Sequence, residues 1–214
     1  MDARWVDSDA ALAACIAELR DEPRYAIDTE FHGERTYWPR LALIQLAGPA
    51  GVSLVDPLAV DPAPIAELLA GPGCMVAPAA DQALAILERA CGTGPRLLFD
   101  TQVAAGFVGM GTPSLASLAE RLAGARLAKG DRLTDWTRRP LRPEQRAYAA
   151  ADVEYLFTIH DALVDRLTAA GRLEWALDEC EERRQRDRSR PEPETAWWRM
   201  KGARQFRGQT RGVA

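Results

Sequence analysis

The chain has 214 residues, a net charge of −4 and 47% hydrophobic residues, which is enough for one large domain with a sizeable core. It contains no apolar run long enough to cross a bilayer, and its first residues lack the basic-then-apolar order of a secretory signal, so no membrane association is expected. The four cysteines are scattered without a Cys-x-x-Cys pair, which argues against a zinc site or a disulfide framework and predicts reduced cysteines in a cytoplasmic protein.

The first part of the chain is predicted to form an antiparallel meander. An amphipathic helix at 9–20 precedes three strand candidates, which lie at 24–31, 41–47 and 52–55. The segment Gly48-Pro49-Ala50-Gly51 is a turn signal between the second and third strands.

After Pro57 the pattern changes to alternating helices and strands. We predict a short helix at 64–69, a strand at 74–77, a helix at about 81–91 and a strand at 96–99. Such alternation favours βαβ units with parallel pairing. The predicted fold class is therefore α/β, with a mixed sheet (antiparallel meander plus βαβ units) flanked by helices.

The last third of the chain is predicted to be helical. One long helix runs from Pro143 to about residue 170, where Gly171 ends it, and another spans 172–186. The Pro-rich segment 189–195 is typical of a linker. We therefore divide the chain into a domain at 1–188 and a basic linker or tail at 189–214.

Acidic side chains occur where an apolar strand would not be expected to hold them. Asp28 and Glu30 lie two apart in the first strand of the meander, so their side chains point to the same face. Tyr148 and Asp152 lie four apart in an Ala-rich helix and share a helix face. Three carboxylates and a phenol, carried by a strand and a helix, predict a site for a divalent metal ion. The plainer interpretation is a set of solvated surface acids.

Several segments resemble the ribonuclease D family of 3′–5′ exonucleases. The resemblance is found in the segments Asp28-Thr29-Glu30-Phe31, Arg35-Thr36-Tyr37-Trp38-Pro39, Leu43-Ile44-Gln45-Leu46, Phe99-Asp100-Thr101-Gln102, Thr134-Asp135-Trp136 with Arg139-Pro140-Leu141, and Tyr148 to Leu156. They occur in the family's order, from about residue 5 to the end of the chain. The fold that the resemblance implies is ribonuclease H-like.

The resemblance also implies a two-metal mechanism with Mg²⁺ or Mn²⁺. Asp28 would bind both ions, Glu30 the ion that activates water, and Asp152 would be a further ligand. Tyr148 would orient the attacking water and help to deprotonate it. Two divalent ions suit phosphodiester hydrolysis because negative charge develops on the attacking, leaving and non-bridging oxygens, and hard oxygen ligands favour these ions.

The second acidic motif of the family departs from its usual pattern here. With the register fixed by the residues that follow, the expected metal-binding Asp falls on Ala83 and the expected His on Pro78. The nearest acid is Asp81, which on a regular helix would point almost opposite to position 83. Asp81 is kept as a candidate metal ligand, with helix capping as its alternative role. A missing ligand would weaken or abolish activity.

Substrate contacts are expected on two loops. Arg35, Tyr37 and Trp38 follow the first motif and could hold the 3′-terminal nucleotide by phosphate pairing and base stacking; a packed aromatic loop is the alternative for Trp38. Lys129 and Arg132, with Arg138 and Arg139, precede the third-motif helix and could line the channel by which the strand enters.

Charge is unevenly distributed along the chain. Residues 183–214 hold ten basic and three acidic residues, a net charge of +7, which leaves −11 for residues 1–182. The tail also resembles the truncated start of a helical nucleic-acid-binding module. Contact with a polyanion and simple solubilisation are both consistent with this composition.

The expected function is therefore a 3′–5′ exoribonuclease that trims RNA 3′ ends and releases nucleoside 5′-monophosphates. Its partners would be RNA 3′ ends, with tRNA precursors as one class, and no obligate protein partner is expected. Two alternatives stay open: a catalytically impaired domain that binds nucleic-acid ends, and a DNA or oligonucleotide exonuclease of the same superfamily.

Overall fold

A mixed sheet of six strands forms the centre of the molecule in the computed structural model, which describes residues 3–33, 36, 38–128 and 134–188. The strands are β1 (Arg4–Val6), β2 (Arg24–His32), β3 (Arg40–Gly48), β4 (Gly51–Val55), β5 (Cys74–Ala77) and β6 (Leu97–Asp100). They lie side by side in the order β1-β4-β3-β2-β5-β6.

The sheet has an antiparallel part and a parallel part, as predicted. Strands β2, β3 and β4 form the meander, in which β2 and β3 pair from Ala26 opposite Ala47 to His32 opposite Arg40. Strand β5 pairs parallel with β2, and β6 pairs parallel with β5. The α/β class and the mixed sheet are therefore confirmed, and the short strand β1, parallel to β4, is an addition that the sequence did not predict.

Helices cover both faces of the sheet. They are α1 (Asp9–Leu19), α2 (Ala66–Leu69, after a 3₁₀ turn at Ala63–Ile65), α3 (Asp81–Cys91), α4 (Thr101–Phe107), α5 (Leu115–Leu118, continued by a π-helical turn at Ala119–Ala123), α6 (Pro143–Glu154), α7 (Leu156–Ala169) and α8 (Leu173–Gln185). Within the described ranges, every helix falls short of the length and apolar character needed to span a bilayer.

Alternation along the strands divides the core between the two faces. Tyr25 and Ile27 pack in a cluster with α1, α2 and α3. Ala26, which points the other way, packs with side chains of α4, α5, α6 and α7. A third cluster beneath α6 contains Trp136 and Leu141. The two layers of helices thus leave α6 lying over the meander.

One prediction about the helices is wrong. The stretch 143–170 is not a single helix, because it is divided into α6 and α7 at Tyr155, whose backbone lies at φ −100° and ψ 0°. Gly171 follows α7 in the left-handed conformation (φ 65°), as expected for a residue after a helix end. The predicted tail at 189–214 lies outside the described residues.

Candidate functional site

Two acids lie on the face of β2 that α6 covers. Asp28 and Glu30 are half-buried and alternate with the buried residues Ile27 and Thr29, which follows from the two-residue period of a strand. In β3, Gln45 lies opposite Asp28 and Leu43 opposite Glu30, and the pairing register shifts directly after Glu30. The end of β2 beyond the two acids therefore departs from regular pairing.

Helix α6 brings a third carboxylate to this face. Asp152 is buried, with 8% of its surface exposed, and Tyr148 lies one turn earlier on the same helix, half-buried. The ring of Tyr148 packs against Trp136 with a centroid separation of 6.0 Å. Strand and helix thus deliver their acidic and phenolic groups to one region of the molecule.

The charges of Asp28 and Asp152 affect one another. Burial raises the pKa of Asp28 well above its usual range, and the negative charge of Asp152 raises it further. The Thr29 backbone N–H, which donates to Asp28 Oδ1 over 2.8 Å, opposes the shift. A carboxylate that is desolvated beside a second one favours a cation or a proton as its partner. The carboxylate oxygens of this pair are donors of the type that hard divalent cations prefer.

The site is not a closed cage of ligands. No group of three or more His, Cys, Asp and Glu side chains among the described residues converges tightly enough to hold a metal ion. The structure does bring Asp28 close enough to Asp152 for their charges to interact. Glu30 lies two residues further along β2 on the same face.

Arg139 positions the segment that leads into α6. Its guanidinium binds both carboxylate oxygens of Asp56, each over 2.7 Å, and donates to the carbonyl oxygens of Ala42 (2.6 Å) and Trp136 (2.8 Å). Asp56 is 4% exposed. These bonds tie the residues before α6 to β3 and to the end of β4. The expectation that Arg139 lines a substrate channel is therefore corrected to a structural role.

The first turn of α6 is fixed by its own residues. Pro143 occupies the start of the helix, as predicted, where its missing N–H has no helical partner to lose. The backbone N–H of Arg142 donates to Oε1 of the buried Gln145 over 3.0 Å, and Gln145 Nε2 donates to Thr134 Oγ1 over 3.2 Å.

Asp81 is engaged with α8. Its Oδ2 lies 2.9 Å from Arg183 Nη1 and 3.8 Å from Arg186, and its Oδ1 lies 3.9 Å from Arg188. The capping alternative is wrong, because Ala80 is the N-cap of α3 and no side chain caps it. Ala83 is 4% exposed and packs in the cluster of α1, α2 and α3. The two positions therefore point in different directions, as the helical period predicts.

Asp100 stabilises two neighbouring backbone segments, a role that was not predicted from the sequence. It is fully buried and accepts backbone N–H bonds from Ala79 (3.2 Å), Ala80 (2.8 Å), Gln102 (2.9 Å) and Val103 (3.2 Å). Asp100 thus caps α4 and holds the turn that leads into α3. An Asp directly before a helix is the signal that could have revealed it.

The residues expected to contact substrate are only partly described. Trp38 stacks on the Arg89 guanidinium of α3, with 4.6 Å between the guanidinium carbon and the ring centroid, beside a cavity of about 340 Å³. Contact of Trp38 with substrate stays a prediction. Arg35, Tyr37, Lys129 and Arg132 lie outside the described residues.

Known proteins match both the sequence and the fold. A family model described as 3′-5′ exonuclease matches residues 3–168. The chain is 45% identical over 194 residues to Ribonuclease D of Gluconacetobacter diazotrophicus and 38% identical over 210 residues to Ribonuclease D of Escherichia coli. These alignments cover 89% and 97% of this chain but 49% and 56% of the relatives, so the chain spans about half the length of the curated relatives it matches.

Solved structures share the same architecture. The crystal structure of Escherichia coli RNase D, an exoribonuclease involved in structured RNA processing, matches with a TM-score of 0.91 at 38% identity over 97% of this chain and 56% of that one. Brucella melitensis NrnC bound to pGG matches with a TM-score of 0.75 at 25% identity, over 86% of this chain and 90% of that one. Because sequence and fold agree over nearly the whole described region, the chain belongs to the ribonuclease D family of 3′–5′ exonuclease domains.

Proposed function

We propose that this chain is a 3′–5′ exoribonuclease that hydrolyses the terminal phosphodiester of RNA and releases nucleoside 5′-monophosphates. The observation that carries the proposal is the pair formed by the half-buried Asp28 and the buried Asp152, which β2 and α6 bring to one face of the sheet. The negative charges of the two carboxylates repel each other. The family membership supports it, because the relatives are named Ribonuclease D.

In this proposal the acids hold divalent cations against the scissile phosphate. Asp28, Glu30 and Asp152 supply the oxygen ligands, and Mg²⁺ or Mn²⁺ is the ion. Bound ions would neutralise the charge that develops on the phosphate oxygens and lower the pKa of a bound water. Tyr148, one turn before Asp152, would orient the attacking water through its phenolic oxygen. Its packing against Trp136 supports a fixed ring position.

The proposed ligand set does not include Asp81. Its carboxylate is paired with Arg183 over 2.9 Å, and a cation that recruited it would have to compete with that bond. The position at which the family pattern expects an acid is Ala83, which is buried among apolar side chains. We therefore expect the activity to be lower than that of an enzyme with all four acids.

A second candidate is an impaired domain that binds RNA 3′ ends without cleaving them, and Ala83 is the observation that favours it. The substrate would in either case be a single-stranded 3′ end, with tRNA precursors as one class. The structure of Brucella melitensis NrnC bound to pGG supports recognition of a short end by this fold. The basic segment 189–214 would contribute phosphate contacts, and the cytoplasm would be the location.

The test is hydrolysis of a labelled RNA with a 3′ overhang in the presence of Mn²⁺. We expect the wild-type chain to release 5′-mononucleotides and Asp152→Asn to be at least about 100-fold slower, because the loss of a direct ligand should exceed the 10–100-fold typical of outer-shell changes. The matched control is Asp165→Asn, which removes an exposed acid of α7 and should leave the rate unchanged.

Three outcomes are distinguishable. Degradation that persists unchanged in Asp152→Asn would identify a contaminating nuclease and contradict the proposal. Binding of the RNA without release of mononucleotides would favour the impaired domain. Equal rates on a DNA strand of the same sequence would contradict the preference for RNA.

A further inference from the structure

The side chain of Gln45 is buried without satisfying its hydrogen-bonding groups. It is 0% exposed, and neither its Nε2 nor its Oε1 has a hydrogen-bond partner among the described residues. It is also the one buried side chain in the described part of the chain with two such atoms. A buried amide without partners is unfavourable, because hydrogen bonds in the folded protein do not compensate for its loss of contact with water. Such a group calls for a physical reason.

The strand register identifies the polar residue that lies next to Gln45 on its face of the sheet. It lies opposite Asp28 of β2 on one side and opposite Leu54 of β4 on the other. The residues two positions away in β3, Leu43 and Ala47, are buried and apolar. Among the directly opposed strand residues and these β3 neighbours, Asp28 is therefore the polar one.

Strand pairing places Gln45 beside Asp28, although no hydrogen bond joins the two side chains in this structure. Directly opposed residues of an antiparallel pair have Cβ atoms about 4.5–5.5 Å apart on the same face, and a Gln side chain can span most of that gap. The Thr29 backbone N–H already donates to Asp28 Oδ1 over 2.8 Å. A second donor from the side of β3 would fix the plane of the carboxylate.

We propose that Gln45 is a positioning residue that holds the Asp28 carboxylate in the orientation in which it binds a divalent cation. The proposal rests on the proposed function, since it requires that Asp28 is a metal ligand. The amide carries no charge, so its contribution is to orientation. Outer-shell groups that hydrogen-bond a ligating carboxylate typically change metal affinity 10–100-fold when removed.

A role in packing alone leads to a different expectation for Gln45→Met. Methionine has nearly the same length and no strong hydrogen-bonding group, so the metal-free protein should be as stable as the wild type or more stable. If Gln45 only fills space, the affinity for metal should also stay unchanged. If Gln45 positions Asp28, stability is kept while metal affinity falls.

The experiment measures Mn²⁺ binding to the full chain by titration calorimetry without RNA, and thermal unfolding of the metal-free protein. We expect Gln45→Met to raise the Mn²⁺ Kd about tenfold or more without lowering the metal-free Tm. The matched control is Ile44→Met, an equally buried change in the same strand on the opposite face, which should leave the Kd unchanged. Asp28→Asn should abolish the tightest binding.

Each other outcome overturns the inference in a recognisable way. A Gln45→Met Kd equal to that of the wild type would contradict the role of Gln45 and leave the proposed function standing. A wild-type chain that binds no Mn²⁺ would remove the proposed metal site and the role of Gln45 with it. A Tm loss in Gln45→Met larger than in Ile44→Met would contradict the premise that the amide is unsatisfied in the metal-free protein, and the inference with it. Gln45→Leu repeats the comparison with a second apolar side chain.

Discussion

At the scale of single residues, Asp28, Asp56 and Asp100 have three different environments because their partners differ. Asp28 has one backbone donor and a neighbouring carboxylate, so its charge is poorly compensated. Asp100 accepts four backbone N–H bonds, although burial still raises its pKa. Asp56 has the bidentate guanidinium of Arg139. A carboxylate whose negative charge is poorly compensated favours a bound cation. The environment of Asp28, rather than its residue type, therefore identifies it as the candidate metal ligand.

Restoring an acid at Ala83 tests whether the second motif is the weak point of the site. Ala83→Asp should destabilise the metal-free protein by about 2 kcal/mol or more, a Tm loss of about 4–8 °C, because the site is buried and apolar. Mn²⁺ should recover part of that loss and raise the hydrolysis rate at least about tenfold. Thermal unfolding with and without Mn²⁺ and the RNA assay are the measurements.

The control for this prediction is Ala85→Asp, two residues further along α3 and half-buried. Mn²⁺ should not stabilise that variant more than it stabilises the wild type. If Mn²⁺ fails to recover any stability in Ala83→Asp, an acid at position 83 does not reach the ions and the alignment of the second motif is incorrect.

At the scale of elements, the placement of α6 depends on a salt bridge between residues that are not among the proposed metal ligands. The segment before α6 is held to β3 and the end of β4 through Arg139, whose charge is matched by the buried Asp56. Tyr148 and Asp152 depend on this placement because they lie on α6. Loss of the bond between Arg139 and Asp56 would therefore move Tyr148 and Asp152 relative to Asp28.

Arg139→Met should destabilise the protein by about 3 kcal/mol, because it leaves Asp56 buried without its countercharge. Urea denaturation measures the loss, and the hydrolysis rate should fall with it. The neighbouring Arg138→Met should change stability by less than about 0.5 kcal/mol, because that side chain is 85% exposed. The double variant Arg139→Met/Asp56→Asn should be more stable than Arg139→Met; if it is less stable, the two residues are not coupled.

The contact between α7 and β2 should make stability depend on pH. The Arg24 guanidinium, followed by His160, holds the pKa of Asp161 at about 2, below its usual value of 3.8. Because the folded pKa is the lower one, the stabilisation is present above about pH 4 and is lost as the pH falls towards 2. Asp161→Asn should therefore be slightly less stable than the wild type near pH 7, and the gap should shrink near pH 3.

Urea midpoints for both proteins at about pH 7, 5 and 3 give that gap directly. The exposed Asp165, one turn further along α7, provides the matched variant Asp165→Asn, which should show a smaller effect at neutral pH. A gap that widens as the solution is acidified would contradict the assigned ion pair.

At the scale of the whole molecule, the acidic body and the basic end have opposite effects on RNA. Residues 1–182 carry a net charge of −11 and residues 183–214 carry +7. An acidic surface repels RNA, whereas Lys and Arg that pair with phosphates release counterions and make binding dependent on salt. Part of the positive charge within the described residues is already used, because Arg183 and Arg188 bind Asp81 and Glu88.

Removing residues 189–214 should weaken binding to single-stranded RNA and reduce its salt dependence. Loss of a few phosphate contacts should reduce the slope of log K against log salt by about 1–3, at about 0.7 per contact. Fluorescence anisotropy with a labelled RNA across a range of salt concentrations gives the slope. Replacing the basic residues of the segment by Gln at constant length is the control. An unchanged slope in both proteins would mean that the tail does not contact phosphate.

Several features could be predicted from the sequence because they are local. The two-residue period of a strand put Asp28 and Glu30 on one face, and the helical period separated Asp81 from position 83. Turn and cap signals at Gly48, Pro143 and Gly171 marked ends of strands and helices correctly. The meander, the βαβ units and the family resemblance followed from patterns of this kind. The break at Tyr155 was missed because the helical pattern continues through it.

The tertiary structure decided which side chains meet across long separations. Arg139 binds Asp56 across 83 positions and Asp81 binds Arg183 across 102, and both roles differ from those expected. Burial of Gln45 beside Asp28 is likewise a property of packed strands and a covering helix. The direction of a side chain along a strand or helix depends on its position relative to neighbouring residues, so the sequence predicts it. The partner of a charged group depends on which distant segments pack together, so only the tertiary structure shows it. For this protein, the sequence by itself determined the candidate acids, and the tertiary structure determined which of them are already occupied by a guanidinium.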